Sequence, residues 1–226
     1  MRKAVILLLA ISLLFTSQAF AKVMKTGAQA GIDMGAMLTG LVIPAGSAKL
    51  PDENDNYHSC DLNSGNVGAG PAFGVHFNAW PAKSWLIRVE TGYQYQPGTL
   101  TFKFDPKLKG ESSKDSRDFG LHQYKVGFGI GTRFGNNKRI IPQGIVGLDW
   151  YYQWFKDKQD KRLMPGQAIG LFGMLGLDVM IDQHFSAGLF LRVDPMYNYA
   201  KYTKSKEEAT LSYVPLSLML SGGYNF

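Results

Sequence analysis

Apolar and polar residues alternate along most of this chain. Between Leu211 and Phe226, the residues Val214, Leu216, Leu218, Leu220, Tyr224 and Phe226 share one parity, and Tyr213, Ser217, Ser221, Gly223 and Asn225 share the other. A period of two marks a β-strand with two unlike faces. Seven earlier segments repeat the pattern, each with its own apolar face. They run from about Ala28 to Leu41 (Ile32, Met34, Leu38), Val67 to Asn78 (Phe73, Val75, Phe77) and Ser84 to Gln96 (Trp85, Ile87, Val89). The next are Phe119 to Phe134 (Tyr124, Val126, Phe128, Ile130) and Ile140 to Phe155 (Val146, Leu148, Trp150). The last two are Gln167 to Ile181 (Ile169, Leu171, Leu175) and His184 to Tyr199 (Phe185, Leu189, Leu191).

The connections alternate in length. Short ones fall around Pro81-Ala82-Lys83, Gly135 to Lys138 and Asp182-Gln183; long ones are expected at Val42 to Asn66, Pro97 to Asp118, Lys156 to Gly166 and Ala200 to Ala209. Short turns at one end and long loops at the other, with an even strand count, predict an all-β fold. The expected form is an eight-stranded antiparallel up-and-down transmembrane β-barrel, closed so that no edge is left unpaired.

The charges indicate which face meets lipid. Asp33, Arg88, Glu90, Lys125, Arg133, Asp149, Asp178, Arg192 and Asp194 all lie on the glycine-rich parity, away from the apolar one. A basic residue at the lipid-facing midplane costs roughly 2–4 kcal/mol, so the apolar face is read as outside and the charged face as the filled lumen of a narrow barrel. These nine residues are the expected lumen polar network. Strand direction sets Arg88, Glu90, Arg133 and Asp178 toward the short turns, Asp33, Asp149, Arg192 and Asp194 at mid-height, and Lys125 in the outer half. Isolated buried charges are costly, so a salt-bridged plug is expected, with Arg192 on at least one of Asp33, Asp149 or Asp194. Aromatic residues flank the apolar band: Trp85, Phe134, Phe185 and Phe226 near the short turns, and Tyr93, Tyr95, Tyr152, Trp154, Tyr197 and Tyr199 near the long loops.

The amino-terminal end has the form of an export signal. Arg2 and Lys3 precede an apolar run from Ala4 to Phe15, and Ala19-Phe20-Ala21 has the small-x-small form of a cleavage site. Residues 1–21 are therefore expected to be a signal peptide and residues 22–226 the barrel domain. Loss of Arg2 and Lys3 leaves 22 basic against 18 acidic residues, a net of +4. That is too mild a charge to argue for nucleic acid. Cys60 is the single cysteine, so no internal disulfide forms; the thiol is idle or pairs between molecules.

Little catalytic chemistry is visible. Gly127-Phe128-Gly129-Ile130-Gly131 lies inside a strand and lacks dinucleotide-loop spacing. His58, His76, His122 and His184 have no ligand spacing, so neither a metal nor a cofactor is expected. His184-Phe185-Ser186 has the His-x-Ser form used by lipid A deacylases among small outer-membrane barrels, but Asn198 stands where an orienting carboxylate would be sought. A turn histidine followed by a small lumen residue explains the pair, and no enzyme is expected.

The closing strand with its final Phe226, the leader and the strand count together resemble the small bacterial outer-membrane barrels typified by the OmpA membrane domain, OmpX and OmpW. The resemblance implies an outer-membrane location, and Tyr224 and Phe226 as a signal read by the barrel-assembly machinery. It implies a monomer among outer-membrane lipid, with a structural or surface-interaction role in which the long loops bind a host or envelope ligand. The alternatives are a narrow, porin-like channel for small solutes or small hydrophobic molecules and, third, a lipid A-modifying enzyme.

Overall fold

The computed structural model describes residues 27–38, 40–45, 47–51, 57–82, 84–104, 114–134, 139–157, 163–201 and 208–226. The expected signal peptide lies outside the described residues. Among the described residues there is no helix. Among the described residues, thirteen strands form one antiparallel sheet that closes on itself. Four of its eight staves are unbroken: β6 (Trp85–Phe104), β7 (Lys114–Arg133), β8 (Ile140–Asp157) and β9 (Leu163–Met180). The other four are each made of two strands. β1 (Ala28–Met37) continues as β2 (Gly40–Ala45), and β4 (Tyr57–Val67) leads into β5 (Gly70–Ala79). β10 (Phe185–Val193) continues as β11 (Met196–Lys201), and β12 (Glu208–Val214) as β13 (Leu216–Asn225). β3 (Ser47–Pro51) forms an outer hairpin with β4.

The ladder closes between the first and last strands. β1 pairs with β13 from Gln29 opposite Asn225 to Met37 opposite Ser217, and the Phe226 N–H donates to the Ala28 carbonyl at 2.8 Å. The broken staves are neighbours, and their breaks lie side by side. Leu38 N–H donates to Leu216 O at 2.7 Å and Asp194 N–H to Pro215 O at 3.1 Å, while Gly68 N–H reaches Pro97 O at 2.7 Å. Pro195 and Pro215 have no N–H to give a ladder, which is why two of these breaks fall where they do.

The eight expected strands are present, but the expected long loops are largely strand. β6 and β7 stay paired up to Lys103 opposite Lys114, through Pro97 opposite Gly120. β2, β3 and β4 occupy most of the span expected to be the first long loop. The Pro97-Gly98 pair resembles a turn signal, yet Pro97 needs only its carbonyl here, and that carbonyl is used by Gly68. The barrel wall therefore rises well beyond the upper aromatic residues.

The outer surface is apolar at mid-height. Leu171 is 62% exposed, Leu148 57% and Leu175 66%. Phe77 shares that parity but is buried with Ala28 and Ala79. At the lower rim Trp85, Phe134, Phe185 and Phe226 are exposed. Tyr224 stacks edge-on with Phe185 and with Phe226, at 5.3 and 5.2 Å between ring centres. The last short turn is pinned by Asp182, whose Oδ1 accepts the N–H groups of His184 and Phe185, both at 2.7 Å. Those two donors hold its carboxyl below the ordinary range. Their stabilisation is therefore present above the usual carboxylate pKa and lost as pH falls through the lowered value.

An arginine at the centre of this band tests the outside–inside assignment. Leu171→Arg should lower stability by about 2–4 kcal/mol, read by urea unfolding of protein folded into vesicles. An unchanged unfolding midpoint would place Leu171 in water.

Candidate functional site

The site is the lumen, and the alternation of glycine with large side chains explains how it fills. Along one hydrogen-bonded row, Gly31 pairs with His76, His76 with Glu90, Glu90 with Gly127, and Gly127 with Asp149. A Cβ at Gly127 would strike Asp149 Oδ1 and come within 3.0 Å of Glu90 Cγ. A Cβ at Gly31 would collide with the His76 ring. The Gly127–Gly131 run is thus a strand interior whose missing side chains make room for charged ones opposite.

Glu90 is the hub. It accepts from Arg88 Nε at 2.7 Å, from Lys125 Nζ at 2.7 Å and from an Arg192 terminal nitrogen. Arg192 spends its donors three ways: on Glu90, on Asp149 and, through Nε, on Asp194 at 2.8 Å. Its guanidinium also lies over the Phe172 ring, 4.1 Å from the centre. Tyr151 adds its hydroxyl, 2.9 Å from Asp149 Oδ2 and 3.2 Å from Asp194 Oδ1. On the other side Arg88 bonds Asp33, and Asp33 faces His76 Nδ1 at 3.0 Å. Four acidic and three basic side chains therefore share one layer, all buried; Arg192 is 2% and Asp149 1% exposed.

A neutral amide layer caps it above, and amides gathered on Asp178 cap it below. Above, Gln94 Nε2 donates to Gln123 Oε1 and Gln123 Nε2 to Gln153 Oε1, both at 2.7 Å. Below, Gln29 Nε2 donates to Ser186 Oγ at 2.7 Å and to Asp178 at 3.3 Å, Gln143 Nε2 reaches Asp178 at 3.3 Å, and Asn78 Nδ2 donates to Gln29 Oε1 at 2.6 Å. Arg133 stands apart, 3.6 Å over the Trp80 ring. Apolar side chains, among them Met37, Ile145, Met174, Phe190 and Met219, fill the rest. Among the described residues, His76 Nε2, Trp80 Nε1, Arg133 Nε, Gln143 Oε1 and Asp149 Oδ1 are buried without a hydrogen-bond partner.

Of the nine expected lumen residues, the structure brings seven into one cluster: Asp33, Arg88, Glu90, Lys125, Asp149, Arg192 and Asp194. Asp178 and Arg133 sit nearer the turns and are not joined to it by an ion pair. Arg88 and Glu90 were expected lower than Asp33 and Arg192, but Glu90 shares a ladder row with Asp149 through Gly127, and Arg88 reaches Asp33 on β1. His184 and Ser186 do not meet. Ser186 Oγ is buried against Gln29, whereas His184 is exposed at the turn and stacked on Tyr224 at 5.5 Å.

A closed eight-stave wall, apolar outside and charged inside, has counterparts among solved structures. OprG from Pseudomonas aeruginosa superposes with a TM-score of 0.55 at 17% identity, over 90% of this chain and 97% of that one. The fold is that of the small eight-stranded outer-membrane barrels. AlkL in lipid bilayers aligns at 0.45 and 13% identity, over 90% of this chain and 92% of its own. OmpW of E. coli aligns at 0.38 and 12% identity, over 86% of this chain and 97% of its own. The sequence matches no family model and no curated protein.

Within this eight-stave barrel, the lumen groups that a search by charge alone did not single out are Gln29, His76, Asn78, Gln94, Gln123, Gln143, Tyr151 and Gln153. The signal that finds them is the parity that found the charges.

Removing Arg192 would leave Glu90, Asp149 and Asp194 short of a partner. Arg192→Ala should cost about 3–5 kcal/mol, somewhat softened if water enters, with Arg192→Lys intermediate because an ammonium cannot serve three separated acids. Gly127→Ala should cost about 1–3 kcal/mol by overpacking. Urea titration of the three variants against the parent checks both; parent-like stability of Arg192→Ala would show that the network carries no load.

Proposed function

We propose that the chain is an integral outer-membrane barrel with a sealed lumen and a structural or surface-interaction role. Its contacts are made by the sheet that rises above the upper aromatic rim. The observation that carries this reading is the buried layer centred on Glu90 and Arg192. A cavity beside Asp33, Glu90, Lys125, Arg192 and Asp194 measures about 10 Å³, room for about one water. Outer-membrane location is supported by the fold, by the apolar outer band and by its two aromatic rims. The partners that follow are outer-membrane lipid, the barrel-assembly machinery at Tyr224 and Phe226, and a host or envelope ligand at the outer sheet.

A narrow channel for small solutes or small hydrophobic molecules is the second reading. The adjacent breaks at Leu38, Gly68, Asp194 and Pro215 favour it, because a wall with fewer ladder bonds at one level yields there first. The third reading, a lipid-modifying enzyme, is weakened by the separation of His184 from Ser186.

Planar-bilayer recording of refolded protein separates the first two. The parent should show no steady conductance, and Arg192→Ala should raise the frequency of openings. A large, steady current through the parent would overturn the sealed reading and favour the channel.

A further inference from the structure

The upper rim carries a second constellation, outside the lumen and independent of whether the lumen is sealed. Three adjacent staves present six rings outward in two rows. Tyr95, His122 and Trp154 are register partners, and so are Tyr93, Tyr124 and Tyr152. The His122 ring lies flat on Trp154, 5.2 Å between centres and 3° from parallel, and is tilted against Tyr95 at 4.9 Å. Tyr124 contacts Tyr93 at 5.1 Å and Trp154 at 5.3 Å. The Tyr93 hydroxyl is 2.7 Å from His122 Nδ1. With that hydroxyl donating, Nε2 carries the ring's proton and is the donor left over.

The next register pair is Gly120 and Lys156 on the same outward face. The Tyr95 ring leans over Gly120: a Cβ there would stand 3.0 Å from Tyr95 Cε2, 3.4 Å from its hydroxyl and 3.5 Å from His122 Nε2. Two donors, the Tyr95 hydroxyl and His122 Nε2–H, therefore border one small gap on the lipid side, and Lys156, across the ladder from Gly120, adds a cation on the same face. Lys156 is exposed and has no acidic partner among the described residues. The acid on the same face, Asp118, accepts the Thr99 hydroxyl at 2.9 Å, and its other oxygen suits a sugar hydroxyl rather than a phosphate.

We propose that this rim binds the phosphorylated sugar headgroup of an anionic glycolipid in the outer leaflet. The rim lies at the end opposite the short turns, which in such barrels faces outward. A pyranose ring packs against the outward side of the row formed by Tyr95, His122 and Trp154. The phosphate takes the two donors and the Lys156 ammonium, and charge-assisted hydrogen bonds of this kind are the strong ones. The lower rim lacks the combination, since its histidine, His184, sits beside the acid Asp182.

The test titrates refolded protein in neutral detergent with diphosphoryl lipid A, read by native mass spectrometry, with monophosphoryl lipid A and phosphatidylglycerol as the other arms. The parent should retain diphosphoryl lipid A best. His122→Ala with Lys156→Ala should weaken it about tenfold, and His184→Ala should leave it unchanged. Lys156→Ala alone removes only an exposed side chain, so its loss of binding counts even if the double variant folds badly. Equal retention by Lys156→Ala and the parent, or of phosphatidylglycerol and lipid A by the parent, would overturn the site and leave a general anionic belt.

Discussion

Everything in this barrel depends on a carboxylate, Glu90, held by three cations in a space from which water is nearly excluded. Two long arginines and a lysine reach it from three staves. None of the four charges is tolerable there alone, because a buried ion without a partner is strongly penalised. Their mutual satisfaction ties β6, β7 and β10 together across the lumen, and Asp33, Asp149 and Asp194 extend the tie to β1, β8 and the break after β10. The apolar exterior removes any alternative: a charge that left the lumen through the wall would enter hydrocarbon.

The same constraint accounts for the glycines. A strand interior ordinarily disfavours glycine, and Gly127 and Gly31 are unfavourable by that measure. They are needed because a narrow barrel cannot hold a large side chain from every stave at one level. Small residues on alternate staves let Glu90, Asp149 and His76 occupy the centre. Where the charges thin out, Phe172, Met174 and Phe190 take over the volume, so the lumen is packed through ionic, amide and apolar layers rather than being uniformly polar.

Much of this was legible in the sequence, for a physical reason. In a sheet with lipid on one side the two parities have different solvents, so one period-two pattern reports strand, face and inside at once. It identified the eight staves and the nine charges, whose geometry is now described. It was less informative where a residue is locally ambiguous. Pro97-Gly98 and the polar stretch around Cys60 have loop composition, but above the bilayer both faces of a strand meet water and the apolar signal that marks strands is absent. The neutral amides Gln94, Gln123 and Gln153 share the charged parity yet carry no charge to draw attention to them. The level at which Arg88 and Glu90 meet Arg192 depends on stave tilt, which no linear pattern encodes.

The pairing of β1 with β13 has a consequence for how the molecule is made. These strands come from opposite ends of the chain, whereas β6 to β9 pair with their sequence neighbours, so closing this seam is the most non-local step and the slowest to nucleate. Until it closes, the sheet is open, and Arg192 on β10 is held away from Glu90 on β6, its partner across the lumen. An unclosed sheet would present cations to the membrane interior. Electrostatics thus adds to the two free edges as a penalty on half-built barrels, and makes closure an all-or-none event.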